Sequence, residues 1–146
     1  MAKPAKAKAK TKSPAPSKNS LQEVYDGIAE LLNRHVPPFK IGDLAVREKP
    51  SLQLVTPKPV TVAGAYGGKP VNWQFAAVIR QKDYVGFYLM GVHSNADLKK
   101  KASAALLKTL KGKSCFHLKS LDDQMRKDIA IVLDASAGIY KQRGWV

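Results

Sequence analysis

Cys115 and His117 stand two residues apart in the run Ser114 to Leu118, which reads as a short strand. Alternation along a strand puts both side chains on one face, as half of a metal site or a thiolate and imidazole pair would require. Nothing in the sequence completes four ligands: there is no second C-x-C or H-x-H, and His35 and His93 stand alone at element ends. A lone cysteine on a strand with apolar Phe116 and Leu118 behaves as a small hydrophobe, so packing is the expected role of Cys115. Just upstream, Lys111-Gly112-Lys113-Ser114 gathers two lysines and a hydroxyl, a candidate anion or ligand turn formed by Lys111, Lys113 and Ser114. The P-loop spacing is missing and the glycine follows a helical pattern, so a helix C-cap flanked by lysines is the first expectation. Lys113, Cys115 and His117 mark the region where a small enzyme or ligand-binding site would have to be assembled.

The rest of the chain offers less chemistry. No G-x-S-x-G, H-E-x-x-H or dinucleotide fingerprint occurs, so no catalytic residue is assigned and no cofactor is expected. Tyr66-Gly67-Gly68-Lys69-Pro70 reads as a turn. Trp73, Trp145 and Tyr84 could stack on bases, but they are scattered and read as edges of the core.

Charge says more. There are 25 Lys and Arg against 11 Asp and Glu, a net +14. Lys3, Lys6, Lys8, Lys10, Lys12 and Lys18 supply six of these charges with no acid among the first 20 residues, leaving +8 for the remainder. Such a balance favours polyanions, nucleic acid first, through contacts indifferent to base sequence. Residues 1–19 contain too little apolar surface to offset the entropy of ordering and are expected to be a disordered tail, compositionally similar to linker-histone tails. The apolar runs are too short for a membrane span, no secretory signal is present, and a single cysteine suits the reducing cytoplasm.

The folded part is expected over residues 20–146. Ser20 and Glu23 spell a capping box ahead of apolar Leu21, Val24, Ile28, Leu31 and Leu32, a helix that must end before Pro37-Pro38. Short β-like runs follow at Ile41 to Arg47, Leu52 to Thr56 and, more weakly, Val60 to Ala63. Trp73 to Arg80 and Tyr84 to Met90 read as a central hairpin. Asn95 is expected to cap one helical region reaching Leu110, and Ser120 or Asp122 to cap a last helix that ends near Gly144. Strands clustered between helices predict an α+β domain, an antiparallel sheet of about five to six strands with helices on one face.

The stretch Phe75-Ala76-Ala77-Val78-Ile79-Arg80-Gln81-Lys82-Asp83-Tyr84-Val85-Gly86-Phe87-Tyr88, with Leu110 to His117 and the ending Tyr140-Lys141-Gln142-Arg143-Gly144-Trp145-Val146, resembles the YdhG-like domain family over about residues 20 to 146. The resemblance implies a bacterial α+β sandwich of unknown function without a catalytic motif. Some family members look frataxin-like and have been assigned iron-chaperone roles, which makes iron the alternative cofactor. Glu23, Asp26 and Glu30, at i, i+3 and i+7, are the carboxylates that alternative would use. Acids near a helix N-terminus stabilise the macrodipole without any ligand, and a solvated helix face is the preferred reading. The expectation from sequence is thus a small non-enzymatic binding or accessory protein whose tail contacts polyanions.

Overall fold

The computed structural model describes residues 20–42, 49–62, 64, 66–90, 92 and 95–146. The six tail lysines, His93, Ala63 and most of the first expected strand lie outside the described residues.

Helix α1, Leu21–Asn33, begins where the capping box placed it. The Glu23 N–H donates to Ser20 Oγ at 3.1 Å, and the Ser20 N–H donates to Glu23 Oε1 at 3.0 Å. Two otherwise orphaned donors are satisfied, a cap that contributes about 0.5–2 kcal/mol. The helix buries Val24, Ile28, Leu31 and Leu32. Its Gly27 lets the loop before the last helix approach closely, since a Cβ there would come within 2.5 Å of Leu121.

Among the described residues six strands form one antiparallel sheet in the order β1-β2-β3-β4-β6-β5. They are β1 (Lys40–Ile41), β2 (Ser51–Val55), β3 (Gln74–Arg80), β4 (Val85–Leu89), β5 (Leu110–Lys111) and β6 (Cys115–Leu118). The expected hairpin is β3 and β4, at the centre of the sheet. The weak run at Val60 supplies only an isolated bridge to Val71. Between Leu54 and Val55 the register of β2 against β3 shifts. This bulge leaves Phe75 as an extra residue, so Phe75 and Ala76 both join the helix-side core.

The buried apolar side chains of every helix meet Leu54, Val78, Phe87, Phe116 and Leu118 in one cluster. The fold is therefore α+β, with the helices on one face. Phe39 and Phe75 stack at its centre with centroids 3.9 Å apart, and Tyr140 meets both rings edge-on.

The helix expected from Asn95 to Leu110 is broken. It forms α2 (Ala96–Lys101), capped by Asn95, and α3 (Ala104–Leu107), capped by Ser103. Ala102 between them is extended. Ser103 Oγ accepts from the Leu106 N–H at 3.1 Å and donates to the buried Asp128 carboxylate at 2.7 Å, an anchor that favours a new helix start over continuation. Leu110 and Lys111 then leave the helix to pair with Phe116 and Cys115. Gly112, at φ 73°, consequently turns a β-hairpin, which corrects the expected helix C-cap. The last helix, α4 (Asp123–Gln142), is capped by Asp122, whose Oδ1 accepts from the Met125 N–H at 2.7 Å.

Candidate functional site

The face of the sheet turned away from the helices carries the chain's chemistry-bearing side chains. Strand register places Gln53, Ala77, Tyr88, Cys115 and Lys111 opposite one another across five strands. The neighbouring row is Ser51, Ile79, Gly86 and His117. Cys115 and His117 do share a face, but it is the open one, and each is half-buried there.

Tyr88 organises the centre of this face. Its ring leans along β4 over Gly86, where a Cβ would lie 2.9 Å from Cε1 and 3.0 Å from the hydroxyl oxygen. Only a residue without a side chain leaves room for the ring in that position. The Tyr88 hydroxyl lies close enough to the Cys115 thiol and the Gln81 side chain to influence both. Gln81 Oε1 in turn accepts from Lys49 Nζ at 2.5 Å, so polar groups line the way from an exposed ammonium to the thiol. Beside it Tyr84 stacks on His117, with centroids 3.9 Å apart and planes 13° from parallel.

Burial, reinforced by the nearby thiol, pushes the Tyr88 phenol up to about 12. Burial likewise raises the Cys115 thiol, and the Tyr88 hydroxyl pulls only partly against it. At neutral pH the sulfur is therefore a protonated thiol, a poor nucleophile and a poor metal ligand.

Lys111 belongs to the outer row, and Lys113 and Ser114 occupy the turn that follows it. Lys49, Lys82 and Lys119 are also exposed at the ends of the strands concerned. The rim is thus rich in ammonium groups around an aromatic centre.

The helix-1 carboxylates lie elsewhere and have protein partners. Glu23 completes the capping box, Asp26 accepts from Gln22 Nε2 at 2.9 Å, and Glu30 lies 3.6 Å from Arg126 and 4.0 Å from Arg34. Among the described residues no group of three or more His, Cys, Asp or Glu is arranged to hold a metal ion.

Sequence reasoning paired Cys115 with His117 and named Tyr84, but it did not find Tyr88, Gln81 or Lys49. The signal was Gly86 two residues before Tyr88, a glycine inside a strand that marks a close approach. Trp73 and Trp145, grouped with Tyr84 as candidate stacking residues, lie instead on the helix side and pack against the core.

The chain matches no protein-family model, no curated protein and no solved structure. Its class is set by its own architecture, an antiparallel α+β fold whose outer face is lined with aromatic and polar groups. Among the described residues no helix is long and apolar enough to cross a membrane.

Proposed function

We propose that this chain is a non-enzymatic binding protein that holds single-stranded nucleic acid on the outer face of its sheet, aided by the lysine-rich segment 1–19. The observation that carries the reading is the Tyr88 ring laid over Gly86 beside the stacked Tyr84 and His117. Aromatic groups on a strand surface offer π-faces to successive bases, and each stack contributes about 1–3 kcal/mol. A basic rim supplies the phosphate contacts, and a net charge of +14 supplies long-range attraction. A reaction is not part of the proposal, because the cysteine is held as a neutral thiol.

The reading suits a YdhG-like accessory domain. The iron-chaperone alternative has less support, since Glu23 and Glu30 are already engaged by a helix cap and by arginines.

The test is anisotropy of a labelled oligothymidine titrated with the full chain at several salt concentrations. Tyr88→Leu keeps apolar cover over Gly86 but cannot stack, and Tyr84→Ala removes the second ring. Each should weaken binding by about 1–3 kcal/mol. Removing residues 1–19 should weaken all sequences alike and flatten the salt slope, by up to about 4 if all six lysines meet phosphates of a single strand. Unchanged affinity in both folded tyrosine variants would reject the platform and leave only the tail electrostatics.

A further inference from the structure

On the opposite side of the molecule, where the end of α4 meets the start of β3 and the N-cap of α2, lies a partly open cavity of about 160 Å³. Trp73, Tyr140 and Trp145 form its aromatic wall, and Leu98 and Ile139 its aliphatic one. Asn95, Ser136 and Tyr140 are among its polar lining residues, and the side-chain oxygens of two of them already have partners. The Tyr140 hydroxyl donates to the Gln74 carbonyl at 2.5 Å, and Asn95 Oδ1 accepts from the Leu98 N–H at 3.0 Å.

The third is Ser136. It is 1% exposed, and its hydroxyl has no hydrogen-bond partner among the described residues. A buried unsatisfied hydroxyl is destabilising, and such groups are rare in folded proteins unless a water, ion or ligand completes them. Seven residues further on, about two helical turns or roughly 10 Å along the axis, Arg143 stands at the mouth. Its guanidinium lies 5.0 Å from the centre of the Trp145 ring, and no carboxylate pairs with it among the described residues. A wider groove of mixed character adjoins the cavity and shares Asn95, Leu98, Ile139 and Arg143 with it, which gives a way in.

We infer that this cavity binds a small aromatic carboxylate of one ring, its acid on Arg143 and a polar substituent at the far end of the ring on Ser136. Size sets the ring count: an apolar cavity of about 150 Å³ takes up benzene. The aromatic wall selects a flat ring, and a guanidinium selects a planar carboxylate through paired hydrogen bonds. The orphaned hydroxyl selects a ring that carries a second polar group. The site is separate from the sheet platform and does not depend on it.

Both tryptophans of the chain line the cavity, so intrinsic fluorescence reports its occupancy. The full-length protein is titrated with 4-hydroxybenzoate, benzoate and phenol. The expected result is saturable quenching, tightest for 4-hydroxybenzoate and weakest for phenol. Ser136→Ala should cost about tenfold in affinity for 4-hydroxybenzoate and leave benzoate unchanged, while the free protein melts no lower than wild type. Arg143→Gln should cost tenfold or more for both acids and little for phenol. Ile139→Phe should fill the cavity and abolish binding. If that variant does not fold, the change in the ratio of the two acids with Ser136→Ala decides alone. The inference fails if neither acid gives a saturable change, if Ser136→Ala leaves that ratio unaltered, if that variant melts lower when free, or if folded Ile139→Phe binds as wild type.

Discussion

The two faces of the sheet are written by alternate residues of the same strands and have opposite characters. On β4, Val85, Phe87 and Leu89 enter the core, while Gly86 and Tyr88 face outward. On β6, Phe116 and Leu118 go inward and Cys115 and His117 outward. The inner set is fully buried and makes few polar contacts, so its job is stability. The outer side chains of Tyr88, Cys115 and His117 are half-buried, so they can be trimmed at small cost to the fold. A period of two separates the two roles along one strand.

That contrast is broken most strongly from the inside. Phe75→Ala removes a ring stacked at 3.9 Å on Phe39 and met edge-on by Tyr140, and should cost about 3–5 kcal/mol in urea unfolding. The corresponding change on the outer face, Tyr88→Leu, should leave the urea midpoint close to wild type. An equal loss from both would erase the distinction.

A smaller effect sharpens it. Gly86→Ala forces a methyl to within about 3 Å of the Tyr88 ring, which must lift off the sheet. Overpacking of this kind costs about 1–3 kcal/mol. Lifting the ring also uncovers Cys115, and relief of burial, the larger influence on the thiol, outweighs the loss of the nearby Tyr88 hydroxyl, which lowers its pKa. Alkylation by iodoacetamide at neutral pH should be slow in the native protein and several-fold faster in the variant. Rapid alkylation of the native protein would mean that the thiol is neither covered nor raised.

The smallest effect concerns the inner side again. His35 packs against Phe75, with its Nε2 3.4 Å from Asp134. Burial lowers its pKa from the ordinary 6.5, and the attraction of Asp134 opposes this only in part. The unfolded chain therefore takes up the proton first as pH falls. Stability should decline from about pH 6.5 down to the lowered value, and His35→Gln should flatten that portion of the profile. An unfolding free energy indifferent to pH over that range would contradict the assignment.

How much of this was legible depended on how local the cause was. Ser20 with Glu23 announced α1 because both halves of the cap lie within one turn. The β3 to β4 hairpin was visible for the same reason. The break at Ser103 was hidden, because the carboxylate that anchors its hydroxyl is 25 residues away on α4. Leu110 read as a helix end because its partner, Phe116, is chosen by sheet register and not by propensity. The outer face was half legible: strand alternation joins Cys115 to His117, but only the pairing of β4 with β6 brings Tyr88 to the thiol and Tyr84 to the imidazole. Ser136 carried no signal at all, since a serine in a helix reads as a surface residue until its surroundings are known.

The edge of the sheet at β5 is only two residues long, and one of them is Lys111. The described part of β1, at the other edge, is equally short and begins with Lys40. At the β5 edge a strand from another chain finds almost no ladder of free amide groups to extend, and an ammonium beside it. Growth into fibrils by pairing at that edge is thereby discouraged in a molecule that presents aromatic rings to solvent. The same blunt edge dictates the direction of approach on that side: a partner must come down onto the sheet, meeting side chains first and backbone hardly at all.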